Sequence, residues 1–196
     1  MNIIKHNAVW EIKKIRGKDE NFDDLKFIVK AISKDECRIF LTYFVIEKDR
    51  IYSSDGRRLH LLTNPQKLIE IYSFEEGYYK ILIEKSKYLI LVKIEPEGKF
   101  PDVDKLFNVY KFNQSEQKVY KYTGIYANAN NYFKSAGYGA IPFLMLLHVK
   151  MFVNLNFIYD LGEQEYIAKI DAKERTLFFE NDKRKALLMS IDIDQF

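Results

Sequence analysis

A chain of 196 residues, 47% of them apolar, can bury a real core in one large domain or two small ones. Basic and acidic residues number 31 and 28, so the net charge of +3 neither demands nor excludes nucleic acid, because a local basic stripe can hide in a near-neutral total. One cysteine, Cys37, excludes an intramolecular disulfide and a cysteine zinc site, and points to a reducing compartment.

In chain order, Ile3 to Ile15 alternates apolar and polar residues around Val9, Trp10 and Ile12, which predicts a half-buried strand. Gly17-Lys18-Asp19 breaks it. Phe22, Leu25, Phe27, Ile28 and Ile32 then recur at helical spacing, with acids early and lysines late, predicting a helix from about Asn21 to Ser33. Arg38 to Ile46 reads as an aromatic-rich strand. Next comes Arg50 to Leu62, in which Ser54-Asp55-Gly56 joins two apolar runs and presents Arg57 and Arg58. Asp-Gly is a dipeptide that tight turns between strands prefer, so a hairpin is predicted.

Asn64-Pro65 reads as an N-cap and first-turn proline opening a short helix through Tyr72. Strands at Tyr78 to Glu84 and Tyr88 to Ile94 follow, then Gly98-Lys99-Phe100-Pro101-Asp102. Beyond it, Phe107 to Phe112 and Lys118 to Thr123 read as a second hairpin, while Ala127 to Ser135 carries no assignment. Asn154 to Leu161 reads as a short helix, and Tyr166 to Ile170, Thr176 to Glu180 and Ala186 to Ile193 as strands. Both halves end in a short helix followed by strands, so the fold class is α+β: two pseudo-repeated, helix-backed antiparallel sheet domains, residues 1–104 and 105–196.

Ala140 to Phe152, the most apolar segment, is too short to cross a bilayer and is interrupted by Pro142, His148 and Lys150. The first residues lack the apolar region of a signal peptide, so a cytoplasmic protein without a membrane partner is expected. Chemistry is poorly represented. His6, His60 and His148 are scattered, there is no Gly-rich phosphate loop, and Cys37 stands beside Glu36, which disfavours a thiolate. Asp102 and Asp104 read as turn formers. No enzyme, metal or cofactor is expected.

Ser54-Asp55-Gly56-Arg57-Arg58-Leu59 resembles the Thr-Asp-Gly-His-Arg-Leu segment in the middle domain of bacterial beta sliding clamps, the processivity rings of the replicative DNA polymerase. In that family a short helix, two strands and a Gly-Arg/Lys-Phe-Pro-Asp motif follow, as they do here up to Gly98-Lys99-Phe100-Pro101-Asp102. Ala186-Leu187-Leu188-Met189-Ser190-Ile191 is similar to the family's last strand, with serine in place of its proline. Phe152-Val153-Asn154 is similar to a Phe-Asn-Val segment of its last domain. The match is good over roughly Asp19 to Leu106, poor over Phe107 to Lys150, and recovers in the last forty residues.

The resemblance implies a DNA-clamp-like fold matching the family's middle and last domains. A ring of six such domains would take three copies, a homo-oligomer encircling duplex DNA and tethering a DNA polymerase or another clamp-binding protein. It implies a partner-peptide cleft with Ser54, Gly56, Arg57, Arg58 and Leu59 on one wall. Pro101, Leu106, Leu187 and Met189 would lie beside them, with Phe40 as a looser match. The same leucines and methionine are equally the pattern of a core joining two domains. It also implies non-specific backbone contact with DNA by Lys26, Lys30 and Lys34, whose spacing is equally that of a solvated helix face. The alternative is a monomeric clamp-fold adaptor for protein interactions, without a DNA ring.

Overall fold

The computed structural model describes residues 3–6, 8–15, 17–96, 98–109, 120–122, 143–146, 151–162, 164–171 and 175–190. The chain divides into two compact units, Met1–Phe100 and Pro101–Phe196.

The first unit opens with a hairpin of β1 (Ile3–His6) and β2 (Val9–Lys13), where the alternation had predicted a single strand. Ala8, at φ 67°, reverses the chain. Trp10 and Ile12 are fully buried, whereas Glu11 and Lys13 pair with each other at 2.9 Å on the other face. Helix α1 (Glu20–Lys30) starts where Asp19 accepts hydrogen bonds from the backbone N–H groups of Phe22 (3.2 Å) and Ile15 (3.0 Å). It buries Phe22, Leu25, Ile28 and Val29 and ends at Lys30, short of the expected Ser33.

The predicted strand from Arg38 is overturned over its first half. Glu36–Leu41 forms a 3-10 helix kinked at Arg38, because Asp35 accepts from the Cys37 N–H at 3.0 Å and starts a helical turn there. Only β3 (Tyr43–Ile46) is extended. The hairpin of β4 (Arg50–Ser54) and β5 (Arg58–Thr63) forms as predicted, with Ser54 opposite Leu59. Helix α2 (Gln66–Tyr72) also forms, but Asn64 does not cap it: Asn64 adopts φ 52°, Pro65 is the cap residue, and no side chain bonds there.

Strands β6 (Gly77–Lys85) and β7 (Tyr88–Ile94) complete an antiparallel sheet in the order β1-β2-β7-β6-β3-β4-β5. An aromatic cluster holds the sheet to α2. Trp10 donates from Nε1 to the Tyr72 carbonyl at 3.1 Å and meets Tyr79 edge-on at 5.1 Å and Phe74 at 5.8 Å. Burial pushes the Tyr79 hydroxyl up to about 12, against a hydrogen bond from the Glu75 backbone, so it stays protonated.

The second unit begins with α3 (Val103–Val109). This corrects the strand expected from Phe107. Asp102 accepts from the Lys105 N–H at 3.1 Å, so the apolar run Val103, Leu106, Phe107 reads at helical spacing, and Phe107 packs edge-on to Phe178 at 5.8 Å. Tyr120–Tyr122 is strand β8; residues 110–119 of the expected hairpin, and the unassigned Ala127 to Ser135, lie outside the described residues. Strands β9 (Phe143–Leu146) and β10 (Met151–Asn154) pair antiparallel, and α4 (Leu155–Tyr159) follows with Asn154 as its side-chain cap. Strands β11 (Tyr166–Asp171), β12 (Thr176–Glu180) and β13 (Arg184–Met189) then meander, with β8 on the far side of β11. The last strand was expected to reach Ile193; residues 191–193 lie outside the described residues. Among the described residues, no helix is long and apolar enough to cross a membrane, and no group of three potential metal ligands is present.

Candidate functional site

The Asp-Gly turn is built by side chains that bond their own backbone. Ser54 donates to the Arg58 carbonyl at 2.7 Å and accepts from the Gly56 N–H at 3.0 Å. Asp55 accepts from the N–H groups of Arg57 (2.9 Å) and Arg58 (3.0 Å). Gly56 sits at φ +84°, and a Cβ there would lie 2.7 Å from the Arg38 guanidinium and 3.4 Å from Leu41, so the tip of the hairpin abuts the 3-10 helix. Phe40, on that helix and 37% exposed, borders Gly98, where a Cβ would stand 3.7 Å away.

The two arginines part company at this turn. Arg57 is exposed. Arg58 turns inward, its side chain 10% exposed, with Nε 2.9 Å from Asp55 Oδ2 and its terminal nitrogen donating to the Lys30 carbonyl. Two more side chains of the hairpin bond the same helix end: Ser53 donates to the Ile28 carbonyl at 2.5 Å, and His60 Nδ1 donates to the Phe27 carbonyl at 2.6 Å with its ring stacked on Phe27. A helix leaves its last carbonyls short of partners, and here the hairpin bonds those of Phe27, Ile28 and Lys30, although the Ile28 carbonyl also accepts from the Ala31 N–H at 3.1 Å. Asp55, Ser53 and His60 were not among the expected site residues; for Ser53 and His60, no local pattern announces a bond to a helix 25 to 33 residues away.

Leu59 is 3% exposed and belongs to the core of the first unit. In the second unit, Pro101 and Leu106 are half-buried at the start of the unit and on α3. Leu187 and Met189 share one face of β13, opposite Phe178 and Thr176; Leu187 is buried, whereas Met189 is 44% exposed. The structure thus gathers Ser54, Gly56, Arg57, Arg58 and Leu59 on one hairpin, with Phe40 nearby. Leu187 and Met189 come together on one strand of the other unit.

The Gly98-Lys99-Phe100 part of the second motif is built into the first unit. Tyr43 donates to the Gly98 carbonyl at 3.2 Å, and Phe100 is buried edge-on to Tyr52 at 5.1 Å and 6.5 Å from Tyr43.

The three lysines are not one helix row. Lys26 and Lys30 stand on α1, but Lys34 lies beyond its end. Lys26 is ion-paired to Glu84 of β6, and Lys30 lies 3.6 Å from the same carboxylate. Burial would raise the Glu84 carboxyl, but the two ammonium groups outweigh it and hold it below the usual carboxylate range. Beside this pair, Lys34, Lys80, Glu36 and Glu84 help to line a groove of about 230 Å³.

An eleven-percent to fourteen-percent identity separates this chain from solved structures of the same shape. The Helicobacter pylori beta clamp, solved bound to a DNA ligase peptide, matches with a TM-score of 0.54 at 14% identity, over 97% of this chain and 67% of that one. A DNA polymerase III beta sliding clamp from Bartonella birtlesii, bound to griselimycin, gives 0.54 at 11% identity, over 96% and 67%. The DNA polymerase III beta chain of Streptococcus pneumoniae gives 0.52 at 12%, over 98% and 67%. The fold is that of a bacterial beta sliding clamp. This clamp-like chain spans about two thirds of the length of those clamps. No protein-family model matches it, and no curated protein sequence matches it significantly.

Proposed function

We propose that this clamp-like chain is a non-enzymatic, cytoplasmic processivity factor. It encircles duplex DNA as a homo-oligomer and holds a DNA polymerase or another clamp-binding protein through a short peptide. The observation that carries the reading is the extent of the likeness: nearly the whole chain follows the clamp fold. The Helicobacter pylori clamp was solved with a ligase peptide, and in this chain peptide contact is assigned to Phe40, Arg57 and the turn at Gly56 in the first unit, and to Pro101, Leu106, Leu187 and Met189 in the second. Arg58 and Leu59 support that surface from inside the first unit rather than touching the peptide, since both are largely buried. DNA contact is assigned to Lys26, Lys30 and Lys34, acting on phosphates without reading bases.

One observation favours the adaptor reading: Glu84 takes up two of the three lysines. Size-exclusion chromatography with light scattering separates the two. A ring of six domains built from this chain alone elutes with three times the chain mass; a monomer at all concentrations assigns the protein to the adaptor class and removes the ring.

A further inference from the structure

The cationic surface at the end of α1 has an acid set into it. Strand β6 pairs with β3 only from Gly77 to Lys80; beyond that it continues with β7 alone, through a bulge between Ile81 and Ile83. The bulge breaks the alternation of faces, and Leu82, Ile83, Glu84 and Lys85 are all exposed. Glu84 is thereby delivered to α1, where Lys26 bonds both its carboxylate and the Lys85 carbonyl, and Lys30 approaches from the next turn. Glu84 also lines the groove, together with Lys34, Lys80 and Glu36, and among the described residues neither of these lysines has an ion-pair partner.

We infer that Glu84 is a built-in competitor for DNA phosphate: it occupies the cationic surface formed by Lys26, Lys30, Lys34 and Lys80, and a backbone phosphate binds by displacing it. This inference rests on the DNA reading above and adds two residues to it, Lys80 as a fourth phosphate contact and Glu84 as its antagonist. The chemistry is an exchange of anions. Carboxylate and phosphate are ligands of the same ammonium groups, so whatever Lys26 and Lys30 give to phosphate they first withdraw from Glu84. Lys34 and Lys80 line the groove with Glu84 and a second acid, Glu36, and Lys26 and Lys30 are joined to it through the Glu84 carboxylate. The carboxylate is ionised at neutral pH, so the competition operates there. Its effect is to keep each DNA contact weak and exchangeable, which suits a protein that must move along the duplex rather than grip one place.

The test is binding of the full chain to a fluorescent blunt duplex across a salt series. The wild type is compared with Glu84→Gln, Lys80→Gln and the triple variant Lys26→Glu/Lys30→Glu/Lys34→Glu, each checked by melting for an intact fold. Glu84→Gln should bind roughly three- to tenfold tighter, because one ion-pair partner of two lysines is gone. Its salt dependence should steepen by about one in the log–log slope, while Lys80→Gln should bind more weakly with a slope shallower by about one. If the triple variant loses binding but Glu84→Gln binds no tighter than wild type, Glu84 is only a structural ion-pair partner, and the inference fails while the DNA reading stands. If Lys80→Gln is unchanged, Lys80 leaves the account. If neither wild type nor Glu84→Gln binds, or the triple variant binds like wild type, the DNA reading itself fails and the inference goes with it.

Discussion

Arg57 and Arg58 are adjacent in sequence and opposite in role. The turn residues around them were legible, because Asp-Gly has a local conformational reason to sit there. Which arginine turned inward was not, because the carbonyl that Arg58 bonds belongs to Lys30, on another element. Removing the Arg58 side chain takes a donor from that carbonyl and from Asp55 Oδ2, so Arg58→Ala should lower stability by about 1–3 kcal/mol in a denaturant titration. Arg57→Ala should change it by less than about 0.5 kcal/mol while weakening a clamp-binding peptide. Leu59 and Met189 separate in the same way. Leu59→Ala opens a cavity in the core and should cost about 2–5 kcal/mol. Met189→Ala, at a half-exposed site, should cost under about 1 kcal/mol and show its effect in peptide titration instead. The Glu84 carboxyl, held below its ordinary range, makes a pH-dependent contribution. Its ion pair with Lys26 and Lys30 stabilises fully above the unfolded carboxylate pKa and is lost as pH falls through the lower folded value. Glu84→Gln should therefore cost under about 1 kcal/mol at neutral pH and progressively less in acid, read from melting curves across that range.

At the scale of elements, the chain announced those whose signals are local and periodic. Helix α1 carries an apolar stripe with acids early and lysines late; the hairpin carries Asp-Gly between apolar runs. Two misreadings share one cause. Phe40 and Phe107 lie in aromatic-rich stretches that suit strands, yet each follows an aspartate, Asp35 or Asp102, whose side chain bonds a backbone N–H two or three residues on. The local cap outweighed the strand propensity of the aromatics, which is weak and set by context. The hairpin's second task, capping the last turn of α1 through Ser53, Arg58 and His60, had no signature because it depends on tertiary placement. It makes the turn geometry important beyond the turn itself. Gly56→Ala must hold a side chain at φ +84° and push the Arg38 guanidinium aside, and should cost more than about 1 kcal/mol in denaturant titration.

For the whole molecule, the clamp fold was legible through two short motifs despite identities of 11–14% with solved clamps. The reason lies in what the motif residues do. Asp55 and Ser54 make the turn, Gly98 accepts from Tyr43, and Phe100 fills a place against Tyr52, so each of these positions serves the fold directly. The proposed DNA surface was less legible. Lysine spacing suggested one helix row, whereas Lys34 lies past the helix, and Glu84 and Lys80 come from a strand far along the chain. The central claim is topological: a ring holds DNA by enclosing it. The direct measurement is retention on nicked circular plasmid through a high-salt wash, followed by cutting with a restriction enzyme. Enclosure predicts that the protein stays on the closed circle at salt that abolishes simple phosphate binding, and is released when the circle is cut. Equal retention before and after cutting, or none on the closed circle, contradicts it.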